Sequence, residues 1–108
     1  MIMRIWRTKI DQARALDYSE FARRHSLPMF RGQPGFRGVF FTAREEERAV
    51  VTLWEDIDAV TALNTSESYG RTVAAIEAAG FLLGESKVEL LAVEDSFLED
   101  GALREVNG

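Results

Sequence analysis

The stretch QPGFRGVFFTAREEERAVVTLWED, residues 33–56, decides how the rest of the chain is arranged. Pro34-Gly35 punctuates its start. Phe36–Arg44 and residues 48–55 are rich in β-branched and aromatic side chains, whereas Glu45, Glu46 and Glu47 between them belong in a solvated turn. The stretch therefore predicts a β-hairpin of two long strands.

Neither strand has a clean polar face. Side chains alternate across a strand, so Phe36, Gly38 and Phe40 are expected on one side of the first arm and Val39, Phe41 and Ala43 on the other. In the second arm Val50, Thr52 and Trp54 oppose Ala49, Val51 and Leu53. Both faces call for burial. A chain of 108 residues can cover one face of a sheet with its own helices. Covering the second takes another helical layer, for which the sequence holds no candidate, or a second copy of the chain. A homodimer is the expectation.

Working outward, 46% apolar and 29% charged residues describe an ordinary globular domain. Without cysteine there is neither a disulfide framework nor a thiolate metal site. MIMRIWRTK places charges where a signal peptide needs an apolar run, and no apolar stretch spans a bilayer, so a cytoplasmic protein with no membrane partner is expected. A net charge of −5 argues against nucleic acid as a partner. That charge is uneven: residues 1–44 carry 9 basic and 3 acidic side chains, residues 45–108 carry 4 and 15. Either the halves pair with each other on folding, the more economical reading, or the basic half forms a patch for an anionic ligand.

Ahead of the hairpin, residues 2–9 predict a first strand with Ile2, Arg4, Trp6 and Thr8 on one face. On a central strand Arg4 needs a partner, either Glu89 on the last strand or a ligand. Asp11 predicts a helix cap, with Ala15, Tyr18, Phe21, Ala22 and His25 on the inner stripe of a helix running to about residue 25. Leu27-Pro28 is expected to break it, and residues 29–32 to form a short turn. After the hairpin, Asp56 or Asp58 caps a short helix through Leu63. Ser66 and Glu67 open a longer one with Tyr69, Thr72, Val73, Ile76 and Ala79 inside, ended by Gly80. Residues 81–85 read as a loop and residues 87–94 as the last strand. The order β-α-β-β-α-β predicts an α+β, ferredoxin-like fold with a four-stranded antiparallel sheet whose first and third strands are adjacent. Residues 1–95 form that domain; residues 96–108 form a tail in which Phe97 and Leu98 could latch onto a partner subunit.

The chemistry open to such a chain is narrow. It has no phosphate-binding glycine loop, no Ser-based nucleophile elbow and no Cys-His pair. One histidine and no cysteine leave only carboxylates for a metal, and their densest cluster, Glu45 to Glu47, is a solvated turn, so no metal site is expected. What remains is a small cavity between helices and sheet, with Trp6, Trp54, Tyr18 and Phe21 as candidate walls and His25, Tyr69 and Arg4 as polar handles. The same aromatics could equally fill the core. His25 is either a general base or a hydrogen-bonded residue near a helix end.

Arg4-Ile5-Trp6, Pro34-Gly35-Phe36-Arg37-Gly38, Trp54-Glu55-Asp56, Asp58-Ala59-Val60 and Ser66 to Tyr69 together resemble the antibiotic biosynthesis monooxygenase family across roughly residues 2–94. The resemblance implies a dimeric α/β barrel: two sheets facing one another, helices outside, and a ligand cavity in each protomer. It further implies, for some members, oxygenation of polycyclic phenols without metal, flavin or haem. There the deprotonated substrate itself delivers an electron to O₂, so the protein binds, dries and deprotonates it. Trp54 matches a tryptophan those members place in the pocket, and Val50, Val51 and Thr52 stand where they carry an asparagine. The haem-degrading relatives' asparagine, tryptophan and histidine have no counterparts here. The resemblance thus points to a cofactor-independent monooxygenase of a small aromatic or quinol-like compound: Trp6 and Trp54 stack on it, His25 or Tyr69 handles the phenolic proton, and Arg4 stabilises the phenolate. The alternative is a non-catalytic dimeric protein that holds a small apolar ligand or serves as an accessory subunit.

Overall fold

The structure is a computed structural model and describes residues 1–103. Four strands, β1 (Ile2–Ile10), β2 (Phe36–Arg44), β3 (Glu47–Trp54) and β4 (Leu82–Ala92), form one antiparallel sheet in the order β2-β3-β1-β4. This is the ferredoxin-like α+β arrangement expected from the element order. Strands β1 and β3 pair in unbroken register from Ile2 opposite Trp54 to Lys9 opposite Glu47, so the alternation of each strand is carried across to the other.

The hairpin β2-β3 turns on Glu45 and Glu46, with Glu45 at φ 56. Arg44 closes it through a 2.8 Å contact to Glu47, whose carboxyl is held below its usual pKa by that hydrogen bond and charge. One expectation fails inside the hairpin. The register shifts between Phe36 and Gly38, a β-bulge, so Phe36 does not share the face of Phe40. It packs instead with Val39 against Trp54, on the helix side.

The first helical segment also departs from expectation. Asp11 Oδ1 accepts from the Ala13 N–H at 3.1 Å and opens a 3₁₀ turn (Gln12–Arg14), which leads into α1 (Ala15–Phe21), a π turn (Ala22–Ser26) and α2 (Leu27–Arg31). Pro28 does not break the helix. A proline removes one backbone donor and crowds the preceding turn; here the wider π turn, closed by Leu27 N–H to Ala22 O, carries the chain past it. The extra residue in that turn rotates His25 off the inner stripe, and it is exposed.

The second half follows its caps. Asp56 Oδ1 accepts from the Ala59 N–H at 2.9 Å at the start of α3 (Ile57–Asn64), and Ser66 Oγ accepts from the Tyr69 N–H at 3.3 Å at the start of α4 (Glu67–Ala79). Gly80 ends α4 in the left-handed region at φ 78. Strand β4 begins earlier than residues 81–85 led one to expect, because Gly84 (φ 79) sits where the β1-β4 register shifts between Arg7 and Lys9. The irregularity is a feature of the strand rather than a loop before it.

All the helices pack on one sheet face, and they do so in two pieces. Met29, Phe30, Val50, Trp54, Ala59, Val60 and Leu63 form one buried cluster; Ile10, Tyr18, Ile76 and Phe81 form the other. Trp6 touches both. The opposite face presents Met3, Phe40, Val51 and Leu53, all part-exposed, and Leu91 at 45% exposure.

The uneven charge resolves mainly as pairing between the halves: Arg7–Glu89 (3.8 Å), Lys9–Glu46 (3.8 Å), Arg37–Glu55 (3.2 Å) and Arg44–Glu47 (2.8 Å). These pairs are solvent-exposed and contribute little stability each. Beyond Ala92 the chain runs over the surface with Phe97 79% and Leu98 57% exposed. Residues 104–108 of the expected tail lie outside the described residues. No helix among those described is long and apolar enough to cross a membrane.

Candidate functional site

The gap between the two core clusters is a cavity of about 220 Å³. Its floor is the sheet: Arg4 and Trp6, which alternation places on the same face of β1, and Val50, which stands opposite Trp6 on β3. Its roof is helical. Tyr18 and Ala22 come from the segment opened by Asp11, Met29 and Phe30 from α2, and Tyr69, Thr72, Val73 and Ile76 from the stripe fixed by the Ser66 cap. Small compared with pockets of roughly 300–1,000 Å³ that hold drug-sized ligands, the space suits one or two rings.

Arg4 is the only buried charged side chain among the described residues, at 3% exposure. The expected ion pair with Glu89 is absent. Although β1 and β4 are neighbours, Glu89 stands opposite Ile5 and therefore on the other face, where it pairs with Arg7; Arg4 stands opposite Leu90. The Arg4 guanidinium donates from Nη2 to the Tyr69 hydroxyl at 2.8 Å. Its Nε and Nη1 have no acceptor among the described residues, yet no fully enclosed side-chain nitrogen or oxygen there lacks a partner. Both therefore keep some accessible surface, on a side chain that lines the cavity.

Tyr18 is 4% exposed, and burial, outweighing the opposing Arg48 charge, raises its pKa to about 12. At neutral pH it is a hydroxyl, a hydrogen-bond donor rather than a base. Thr72 turns its Oγ1 back to the Ser68 carbonyl at 2.9 Å, and Ser86 donates to Thr8 Oγ1 at 3.2 Å, so the rest of the lining offers few free polar groups.

The structure thus brings Arg4, Trp6, Tyr18 and Tyr69 together around one space and leaves the three other expected site residues outside it. Trp54 is fully buried beside the cavity, its indole N–H donated to Thr52 Oγ1 at 2.7 Å and its ring edge-on to Phe30 and Phe36. Phe21 packs against Phe81 and His25. His25, exposed, lies against Phe21 with the ring centroids 4.9 Å apart and the planes tilted by 46°. Several lining residues were not anticipated, Phe30 and Glu77 among them. Phe30 was hidden by the expected break at Pro28, and Glu77 lies one turn beyond Val73 on the α4 stripe, where helical spacing alone could have found it. Among the described residues no group of three or more metal-ligating side chains occurs.

No family model and no curated protein matches the sequence. Solved structures match it over most of its length. SnoaB from Streptomyces nogalater, described as a cofactor-independent oxygenase, superposes with a TM-score of 0.71 at 21% identity, covering 91% of this chain and 97% of that chain. A structure named antibiotic biosynthesis monooxygenase gives 0.71 at 16% identity over 88% of this chain and 100% of the other. A protein of unknown function from Nitrosomonas europaea gives 0.74 at 16%, covering 93% and 95%. At these identities the likeness is one of fold, and the fold is the one that the motifs of residues 2–94 pointed to.

Proposed function

We propose that this protein is a cofactor-independent monooxygenase acting on a small aromatic or quinol-like compound held in the cavity between helices and sheet. The observation that carries the reading is the composition of that cavity: aromatic and aliphatic walls, one buried guanidinium with free N–H groups, and two tyrosine hydroxyls. Trp6 and Phe30 supply ring-sized apolar surface. Arg4, in a setting largely stripped of water, favours the ionised form of a phenol placed against it, because an opposite charge nearby stabilises the anion. An electron-rich phenolate or carbanion can pass one electron to O₂, after which one oxygen atom ends in the product and the other in water.

Tyr69, hydrogen-bonded to Arg4, is placed to steer the phenolic proton, and Glu77 is the other lining group able to accept it. The fold shared with an oxygenase that uses no cofactor supports this assignment. We further infer a homodimer formed through the part-exposed apolar sheet face, with the Phe97-Leu98 tail reaching the partner, in the cytoplasm.

Oxygen uptake with anthrone and quinol substrates tests the reading. Native protein should consume oxygen above the buffer rate, Arg4→Met and Tyr69→Phe should consume it at least tenfold more slowly, and His25→Ala should match native. Absence of uptake across the panel overturns it. The absence of histidine from the lining favours one other reading, a non-catalytic dimer that holds the same ligand unchanged.

A further inference from the structure

We infer that the ligand carries an oxyanion attached to its ring system, a carboxylate or an equally acidic phenol or enol, and that Arg4 with Tyr69 is the subsite that receives it. The inference rests on the cavity being the ligand site and adds the class of compound that the site selects.

A guanidinium withdrawn from water is costly unless its charge and its N–H groups are matched. Seven of the chain's cations, Arg7, Lys9, Arg14, Arg24, Arg37, Arg44 and Arg71, meet carboxylates at the surface. Among the described residues that make no such pair, Arg23, Arg31 and Lys87 are exposed and Arg48 is part-exposed, whereas Arg4 is 3% exposed. Its one side-chain partner is a neutral hydroxyl at 2.8 Å.

Glu77, the other charged residue of the lining, is exposed and not paired with Arg4. Nη2 gives one of its two N–H groups to Tyr69, so one edge of the guanidinium, Nη2 with either Nε or Nη1, is left to grip two oxygens of one anion. Nor can a second copy of the chain supply the missing charge by packing on the free sheet face, because Arg4 points to the helix side. The remaining walls are largely apolar, so a neutral quinol would leave the cation unmatched, whereas a ring bearing an oxyanion fills the walls and the charge together.

Titration of the native protein with 1-naphthoate and with 1-naphthamide, a neutral compound of nearly the same shape, decides the matter by calorimetry. Naphthoate should bind about tenfold more tightly or better, the size expected of a charge-assisted pair in a desolvated site. Arg4→Met should remove that preference while leaving naphthamide within about threefold of its native affinity. Arg4→Lys, which keeps the charge and loses the fork, should retain part of the preference and serves if Arg4→Met fails to fold.

Equal binding of the two ligands, binding of neither at millimolar concentration, or a preference that survives Arg4→Met each overturns the inference. The outcome is separable from that of the oxygenase reading. Selective naphthoate binding without oxygen uptake from any quinol keeps the subsite and removes the oxygenase; turnover of neutral quinols by a protein indifferent to naphthoate does the reverse.

Discussion

Replacing Trp54 with phenylalanine separates a core tryptophan from a ligand-stacking one. The residue has no exposed surface, and its indole N–H is donated to Thr52 Oγ1 at 2.7 Å in the middle of the cluster under α2 and α3. Phenylalanine lacks that donor, a loss of about 1 kcal/mol. It also leaves unfilled the space of the second ring, for roughly another 1–2 kcal/mol by analogy with other large-to-small core changes. A total of about 2–3 kcal/mol, divided by a urea dependence of about 2 kcal/mol per molar, lowers the unfolding midpoint by roughly 1–1.5 M. Far-UV circular dichroism is the suitable signal, since fluorescence changes with the substitution itself, and protein concentration is held fixed because a homodimer is proposed. Naphthoate affinity should stay within about threefold of native, because the indole does not line the cavity. A midpoint unchanged from native, together with a large loss of ligand affinity, would refute the assignment of Trp54 to the core.

Gly35→Ala should destabilise by about 2 kcal/mol or more: Gly35 has φ 77 and an added Cβ would lie 2.6 Å from the Ala59 Cβ, whereas Gly84→Ala, equally left-handed but with nothing within 4 Å, should lose about 1 kcal/mol; thermal or urea unfolding of both variants checks this. Tyr18 holds its proton to about pH 12 when folded and to about pH 10 when unfolded, so its contribution is complete below pH 10 and is lost as pH rises from 10 to 12; absorbance at about 295 nm should show a late ionisation that Tyr18→Phe removes, and the same substitution should abolish that part of the alkaline loss of stability. Val51→Lys, which sets a charge in the middle of the apolar sheet face, should turn a native dimer into a monomer by native mass or sedimentation; a native protein already monomeric at micromolar concentration would remove the proposed interface.

The order of the elements, the adjacency of β1 and β3, both second-half helix caps and the Tyr69 to Ala79 stripe were legible because each follows from local rules: period, capping residue and glycine stop. What escaped was governed by departures from regular geometry. A bulge of one residue near Gly38 moved Phe36 to the other face, and a π turn of one extra residue carried the helix through Pro28 and swung His25 into solvent. A left-handed Gly84 inside a strand read as a loop. The candidate site suffered from the same cause. Arg4, Trp6, Tyr18 and Tyr69 lie on regular stretches and converge, whereas His25 lies in the π turn and does not. Whether Glu89 could reach Arg4 depended on β4 register, which no local signal sets.

The alternation of β1 puts Arg4 and Ile5 side by side in the chain and on opposite faces of the sheet, and their cross-strand partners on β3, Thr52 and Val51, are divided in the same way. One face therefore carries the buried cation and the cavity, and the other the part-exposed apolar surface through which we propose that the chain dimerises. If assembly and ligand selection are separated by the thickness of the sheet, a monomeric Val51→Lys protein that stays folded should still prefer 1-naphthoate to 1-naphthamide by the native ratio. Its affinities should also be independent of protein concentration. A folded monomer that binds both equally would mean that the partner subunit orders the helix side of the sheet as well, most directly through the Phe97-Leu98 segment, and removing residues 96–108 from the native protein would then abolish the preference in the same way.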